Sequence, residues 1–338
     1  MFDGAVGQLA EEYRREGLAA AVARLDSLRL QDARLRVVTG CCEQVVPLRR
    51  LADELLYYGD MVTRDGLGRG SRLALERWKL QPRVEVDGKA WSALERGPFV
   101  AFGNHPVGVE IAFFNALLDR DDVYLLAGEH VRQVSSGLGR RVIVLRKTGS
   151  LRSRPGRTRL RDRILSEEES SVRPQGDEAR GANAAALSSA ARLVGRDGAG
   201  LHMFPAGTTT RGAVWQRGIG RILAELVDMG RGVTDSVFVV PIVYDVKPIH
   251  IVASQLFPAR SPLHLLARLH VWAWTGPPAV YIPRPVLLRD LVLDGARSPE
   301  ALTDALHAMW RSAAAQAREA MQEWTPLRGV RVWLSGRP

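Results

Sequence analysis

Residues 102–114 read FGNHPVGVEIAFF and join a short apolar segment to a longer one. The apolar run 98–102 predicts a buried β-strand, and residues 107–118 predict an apolar helix. Asn104 and His105 lie at the junction between the two. The stretch therefore predicts that these side chains lie at the carboxyl end of a strand, just before a helix begins.

Glu110 follows His105 by five positions, at the start of the predicted helix. Positions five apart in a continuous helix face different sides, but a histidine just before the first turn can fold back toward a carboxylate in that turn. Such a pair suits general-base catalysis, because the carboxylate fixes the imidazole tautomer and stabilises the imidazolium that forms on proton uptake. A structural histidine with an acid nearby is the alternative, and the pair alone does not decide between them.

Strand and helix patterns alternate along the chain. The segment VEVDGKAW, residues 84–91, predicts a strand followed by an Asp-Gly turn. Further strand candidates are residues 123–126, 141–145, 201–204 and 236–243, and helix candidates are residues 182–194 and 218–229. This alternation predicts an α/β fold with a mainly parallel central sheet flanked by helices.

The N-terminal part of the chain has a different pattern. Apolar residues recur at helical spacing in residues 8–30 and 45–58, which predicts a helical N-terminal region over residues 1–80. Residues 81–338 are expected to form the main domain. Within it, residues 150–181 carry six arginines in their first half and have almost no apolar side chain to bury. We expect a mobile surface insertion, and contact of its arginines with anionic headgroups is the alternative.

Two further segments carry groups suited to an anion. Residues 201–211 read LHMFPAGTTTR, an apolar strand that runs into a turn where Gly207 permits a close approach or a positive φ. Residues 139–147 read GRRVIVLRK, a strand ending in Arg146 and Lys147, which can bind a phosphate. The alternatives are an ordinary strand-to-helix loop and a basic strand end at the surface.

The order of these segments resembles the glycerophospholipid acyltransferase family, which includes glycerol-3-phosphate and 1-acylglycerol-3-phosphate acyltransferases. The resemblance covers roughly residues 82–290. Its four blocks are Asn104, His105 and Glu110; then residues 142–146; then Phe204, Pro205, Ala206, Gly207 and Thr208; then Val239, Val240, Pro241 and Ile242. The resemblance implies the family's fold over the main domain, with His105 as general base and Glu110 as the carboxylate that orients it.

The same resemblance implies the reaction. A fatty acyl group would move from an acyl thioester, either acyl-coenzyme A or an acyl carrier protein, to a hydroxyl of a lysophospholipid-like acceptor, with no cofactor and no metal. Backbone amides near Gly207 are expected to stabilise the oxyanion. The residues expected to bind substrate are Asn104, Arg146, Lys147, Phe204, Pro205, Gly207, Thr208, Thr209 and Arg211.

Two residues depart from the family's motifs. Glu110 stands where Asp is usual, which keeps the charge and adds a methylene. Ala206 stands where Glu is usual and supplies no carboxylate. In the family, the arginine of the second block and this glutamate are associated with binding the acceptor, often its phosphate. An acceptor other than lysophosphatidate is therefore open, and Arg211 or the threonines can compensate.

Charge and hydropathy bound the partners and the location. The 338 residues include 47 Lys plus Arg against 37 Asp plus Glu, a net charge of +10, which favours anionic partners such as coenzyme A, an acidic carrier protein, a phosphorylated lipid or an anionic membrane. Residues 263–281 have the composition of an interfacial segment, or else form a core helix followed by a strand. No apolar run reaches the roughly 20 residues that span a bilayer, and the first residues lack a signal-peptide pattern. We expect a cytoplasmic protein with peripheral contact at the inner face of the membrane.

Three other classes of protein are alternatives. A catalytically weakened acyltransferase-fold protein that only binds lipid or acyl carrier is the main one, and Ala206 favours it. A nucleic-acid-binding protein is favoured by net charge alone, since no recognisable nucleic-acid-binding signature is present. A metalloenzyme is disfavoured, because the seven histidines include no His-Glu-x-x-His arrangement and the adjacent Cys41 and Cys42 do not have the spacing of a zinc site. Retention of His105 and of a carboxylate at position 110 favours the acyltransferase.

Overall fold

The fold is organised around one strand that is buried along its whole length. Phe99–Gly103 reads FVAFG, a continuous apolar run of the kind that suits a strand covered on both faces. In the computed structural model, this strand pairs in parallel with Gly200–Met203 on one side and with Phe238–Asp245 on the other. The strand predicted at residues 98–102 is confirmed, one residue further along.

The structure describes residues 2–33, 35–37, 39, 48–106, 110–146, 176–207, 215–247, 250, 276–293 and 295–322. The strands are β1 (Arg83–Val86), β2 (Phe99–Gly103), β3 (Val123–Gly128), β4 (Val142–Leu145), β5 (Gly200–Met203), β6 (Phe238–Asp245), β7 (Ala279–Ile282) and β8 (Val286–Leu287). The helices are α1 (Phe2–Glu16), α2 (Leu18–Gln31), α3 (Leu48–Asp65), α4 (Leu67–Trp78), α5 (Gly88–Arg96), α6 (Glu110–Asn115), α7 (Glu129–Arg132), α8 (Ser136–Gly139), α9 (Gly176–Gly195), α10 (Gly218–Asp228), α11 (Arg231–Thr234), α12 (Leu288–Leu293) and α13 (Pro299–Gln322).

The strands of the described residues form one sheet, in the order β1-β7-β6-β2-β5-β3-β4, with β8 also paired to β6. Strands β2 to β6 are all parallel, whereas β7 and β8 run antiparallel to β6, and β1 is parallel to β7. The protein is therefore α/β, with a mostly parallel mixed sheet flanked by helices, and that part of the prediction is confirmed. Because β2 to β6 are parallel, their carboxyl ends share one edge of the sheet, where ligands of such sheets usually bind.

Helices cover both faces of this sheet. On the first face, apolar residues of α3, α4 and α6 form one core with Phe99 and Ala101 of β2. On the second face, α9, α10 and α13 pack against Val100 and Phe102 of the same strand. Alternate residues of β2 thus supply two separate cores, as the period of a strand requires.

Two of the N-terminal helices, α3 and α4, belong to the core of the first face. The rings of Tyr58 and Trp78, from α3 and α4, lie 5.8 Å apart in an edge-to-face arrangement. Both rings are in the same buried cluster as Phe113 and Phe114 of α6. The described part of residues 1–80 is helical, as predicted, and its helices α3 and α4 complete the core of the sheet.

Asp87 and Gly88 do not form the predicted turn. The Asp87 carboxylate instead accepts hydrogen bonds from the backbone amides of Lys89 and Ala90, at 2.8 and 3.3 Å, and caps the start of α5. An aspartate at a turn and an aspartate at a helix start bond to backbone amides in the same way. The Asp-Gly pair alone therefore predicts either structure, and here it begins a helix.

Two predicted segment boundaries change in the structure. The helix predicted over residues 8–30 is divided into α1 and α2, because Gly17 between them adopts a φ of +87° that a helix does not allow. The helix α9 begins at Gly176, so residues 176–181 of the predicted insertion are helical. Residues 150–175 lie outside the described residues, and their predicted mobility stays a prediction.

Gly220, in the first turn of α10, allows the close approach of α13. A Cβ at Gly220 would lie 1.9 Å from the carbonyl oxygen of Pro299. We therefore expect Gly220→Ala to lower the free energy of unfolding by about 1–3 kcal/mol or more, because the backbone of α13 must move. A Cβ at Gly181, which is exposed in α9, would meet nothing within 4 Å. Gly181→Ala is the matched control and should raise stability by about 0.5–1 kcal/mol. Urea denaturation of both variants measures the difference, and equal stability would contradict the packing of α10 on α13.

Candidate active site

Four predicted site residues follow strands at the carboxyl edge of the sheet. Asn104 and His105 follow β2, Phe204 follows β5, and Arg146 follows β4. Because β2 and β5 are neighbours, His105 and Phe204 come together there. Three strand spacings separate β2 from β4, which places the backbone of Arg146 about 14 Å away.

His105 and Glu110 form the predicted pair. Nδ1 of His105 is hydrogen-bonded to Oε1 of Glu110. Glu110 is the first residue of α6, which in the described residues is shorter than the helix predicted at 107–118. Its side chain is fully buried, whereas the His105 side chain is 20% exposed. Since Nδ1 is engaged by the carboxylate, Nε2 is the ring nitrogen left to accept a proton.

The ring of Phe204 packs against one face of the His105 imidazole. The rings of His105 and Phe204 are stacked, with centroids 4.3 Å apart and planes inclined by 16°. Pro205 is buried directly after it. The first and third blocks of the sequence therefore meet at one place, and His105 is held both at Nδ1 and across its ring plane.

Asn104 holds the end of β2 against β6. Its Nδ2 donates a hydrogen bond to the carbonyl oxygen of Tyr244 at 2.8 Å, and the Tyr244 amide donates to Oδ1 of Asn104 at 2.9 Å. The side chain thus continues the ladder of the sheet by one step beyond the last residue of β2. The Asn104 amide therefore has a structural role in the sheet. Binding of substrate by Asn104 stays a prediction.

Arg146 is held by two residues of α9. The side chain of Asn183 accepts a hydrogen bond from the Arg146 amide and donates one to its carbonyl oxygen, each at 2.7 Å. The guanidinium lies 3.6 Å from a carboxylate oxygen of Glu178. Both charged side chains are well exposed, so an anionic ligand can displace this acid at little cost. Sequence reasoning found Arg146 and missed both partners.

Gly207 has the predicted positive φ, at +60°. Its amide donates a hydrogen bond to the carbonyl oxygen of Phe204 at 2.9 Å and closes the turn. That N–H is therefore used in the turn. Stabilisation of an oxyanion by backbone amides near Gly207 stays a prediction, because residues 208–211 lie outside the described residues. The other predicted substrate-binding residues lie outside the described residues; they are Lys147, Thr208, Thr209 and Arg211.

Two residues behind the imidazole were missed by sequence reasoning. His202 is buried on β5, and its Nε2 lies 3.1 Å from the hydroxyl of Tyr244, which is buried on β6. The alternation of a strand places His202 on the same face as Phe204, two residues later. That spacing was the available signal for His202, whereas nothing local in the sequence pairs it with Tyr244.

Both of these buried side chains stay neutral. Burial, reinforced by positive charge on His105, lowers the pKa of His202 to about 3. Burial and the negative charge of Glu110 raise the pKa of the Tyr244 hydroxyl well above its usual value. Neither group therefore competes with His105 for the role of base near neutral pH.

The neutral His202 makes stability depend on pH. An unfolded histidine has a pKa near 6.5, whereas the native one is about 3. Between these values the unfolded chain binds one proton more than the native chain, so stability falls as the pH falls below 6.5 and is unaffected above it. From pH 7.5 to pH 5, we expect the wild type to lose about 2 kcal/mol more than His202→Phe. Denaturation curves at both pH values measure this, and parallel losses would show that His202 is protonated in the native state.

The arrangement can take a proton from a ligand at the carboxyl edge of the sheet. A neutral imidazole oriented by a buried carboxylate is suited to that step.

The described residues contain no group of three or more His, Cys, Asp or Glu placed to hold a metal ion. No helix in the described part of the chain is long and apolar enough to cross a membrane. Residues 263–281 were expected to form an interfacial segment or a core helix followed by a strand. Of these, only residues 276–281 are described, and 279–281 belong to β7.

Comparison with known proteins adds no family to this description. No model of a protein family matches the sequence, and no curated protein matches it closely.

Proposed function

We propose that the protein is an O-acyltransferase. It moves a fatty acyl group from an acyl thioester, acyl-coenzyme A or an acyl carrier protein, to a hydroxyl of a lysophospholipid-like acceptor. The observation that carries the proposal is the hydrogen bond between His105 Nδ1 and the buried Glu110 carboxylate, on the edge of the sheet where Phe204 stacks on the imidazole. The resemblance of four sequence blocks to glycerophospholipid acyltransferases supports the same reaction.

The reaction needs one base and no acyl-enzyme intermediate. Nε2 of His105 takes the proton of the acceptor hydroxyl as its oxygen attacks the thioester carbonyl. The Glu110 carboxylate stabilises the imidazolium that forms. The tetrahedral intermediate then expels the thiolate, which takes the proton back from Nε2, so that an ester and a free thiol leave the site. The two serines at 135 and 136 lack the Gly-x-Ser-x-Gly frame of an acyl-enzyme mechanism.

The acceptor side departs further from the family. Arg146 is the cation expected to bind a phosphate, and its exposed pairing with Glu178 leaves it able to do so. Ala206 supplies no carboxylate where the family has Glu. This missing carboxylate favours an acceptor other than lysophosphatidate. It also favours the second candidate function, binding of lipid or acyl carrier without transfer.

Partners follow from the same chemistry. The net charge of +10 suits coenzyme A, an acidic carrier protein and an anionic lipid surface. We expect a cytoplasmic protein that makes peripheral contact with the inner face of the membrane. We do not expect nucleic acid to bind.

Product analysis tests the proposal. The protein is incubated with acyl-coenzyme A or acyl carrier protein of several chain lengths and with acceptors that carry or lack a phosphate monoester, then with a cell lipid extract. Mass spectrometry should reveal a new ester whose formation is lost in His105→Gln. Binding of donors without any new ester or released thiol, across the panel, would favour the binding protein and overturn the transferase.

A further inference from the structure

Tyr244 and His202 form a buried pair that the proposed proton transfer does not use. Their side chains are joined by the 3.1 Å hydrogen bond between the Tyr244 hydroxyl and Nε2 of His202. His202 is 1% exposed and Tyr244 is 3% exposed. The two residues lie on β5 and β6, on either side of the strand that ends at the proposed base.

The pair contacts the ring that holds the imidazole. His202 meets Phe204 edge to face, with ring centroids 4.9 Å apart, and Tyr244 lies 6.1 Å from the same ring. Phe204 in turn stacks on His105 at 4.3 Å. Movement of either buried ring would therefore change the surface against which the imidazole rests.

The backbone of Tyr244 also contacts the same site. Its backbone amide and carbonyl group are both bonded to the side chain of Asn104, the residue before His105. The negative charge of Glu110 also helps to raise the pKa of the Tyr244 hydroxyl. Tyr244 thus links the strand end and the ring beneath the base.

Packing alone does not explain His202. Its Nδ1 has no hydrogen-bond partner among the described residues, and a buried polar atom without a partner costs free energy. The His202 ring lies against Phe114, with ring centroids 4.6 Å apart, on a strand whose neighbours are rich in apolar residues. An apolar side chain at this position would not leave a buried polar atom without a partner. Local costs of this kind are expected at functional sites.

We propose that Tyr244 and His202 are positioning residues for His105. Their hydrogen bond fixes Phe204, and the Tyr244 backbone fixes Asn104, so that the imidazole keeps Nδ1 against Glu110. The catalytic consequence rests on the proposed function, whereas the effect on the ring itself does not. Tyr244→Phe removes only the hydroxyl and leaves the bonds of the backbone to Asn104.

The test measures the ring and the rate separately. Nitrogen NMR of histidine-labelled protein, assigned with His105→Gln, reports the tautomer of His105. We expect a single Nδ1–H tautomer in the wild type and a mixture or exchange broadening in Tyr244→Phe and in His202→Phe. In acyl-transfer assays, each variant should lower kcat about 10- to 100-fold with KM little changed. The double variant should be no worse than the more affected single variant, because both remove one interaction.

Tyr58→Phe is the matched control. Its hydroxyl is also buried on the same face and lies 3.1 Å from a partner, Ser71, and its ring packs edge to face on Trp78. It should leave the His105 tautomer unchanged. If Tyr58→Phe disturbs the tautomer as Tyr244→Phe does, or if Tyr244→Phe does not disturb it, the positioning role is overturned. If the wild type transfers no acyl group, the proposed function fails, and the NMR comparison still decides the role of the pair.

Discussion

Replacing His105 by alanine is expected to lower the rate of acyl transfer by about 10²- to 10⁴-fold, the usual contribution of a general base. The loss should appear in kcat, because Nε2 takes its proton only as the bond to the thioester carbonyl forms. Initial rates of thiol release with saturating donor and acceptor measure it.

The structure shows why alanine alone is an incomplete test. Glu110 is fully buried beside His105, and removal of one partner of a buried pair destabilises the fold by leaving the other without it. His105→Gln provides the control, since its amide can still donate a hydrogen bond to the carboxylate but cannot act as a base. We expect His105→Gln to be as inactive as His105→Ala and closer to the wild type in free energy of unfolding. Transfer at the wild-type rate by a folded His105→Gln would eliminate His105 as the base.

The central strands were predictable because each is a short apolar run with a clear end. The segments at residues 98–102, 201–204 and 236–243 correspond to β2, β5 and β6, with boundaries displaced by one or two residues. The pairing of these strands brings His105 onto Phe204, a contact that depends on which strands are neighbours and that the sequence did not predict. The local apolar pattern therefore sufficed to place these strands and the His105–Glu110 pair, but not to give the order of the strands in the sheet.

The remaining contacts depend on residues that are distant in sequence. Asn104 and Tyr244 are 140 residues apart, and the reciprocal hydrogen bonds between them arise only once β2 and β6 are neighbours. Asn183 stands 37 residues from Arg146 and reaches it from the helix packed beside β4. An asparagine in a helix carries no local sign of such a role, so neither partner was predictable from periodicity.

The same limit applies to Asp87 and Gly207. The sequence predicted a turn at each of these residues, but the hydrogen bonds that each one makes depend on the path of the neighbouring chain. Asp87 caps a helix in place of forming a turn, and the Gly207 amide closes its own turn onto Phe204. Sequence pattern thus located the special positions and did not determine their hydrogen-bond partners.

Glu110→Gln is expected to reduce acyl transfer by about 10²- to 10⁴-fold, because a neutral amide neither stabilises the imidazolium nor selects the Nδ1–H tautomer. Glu110→Asp keeps the charge and removes one methylene, so the carboxylate withdraws from Nδ1. The helix α6 cannot easily follow it, since Phe113 and Phe114 are fully buried in the core of the first face.

The rates of acyl transfer by the two variants, measured with the same donor and acceptor, separate the effect of the carboxylate charge from the effect of its distance to Nδ1 of His105. We expect Glu110→Asp to retain more activity than Glu110→Gln and less than the wild type, since it preserves the charge in a poorer position. Equal activity of Glu110→Gln and the wild type would show that the carboxylate has no part in the reaction. Wild-type activity in Glu110→Asp would show instead that α6 adjusts, so that either acid can orient the imidazole at this site.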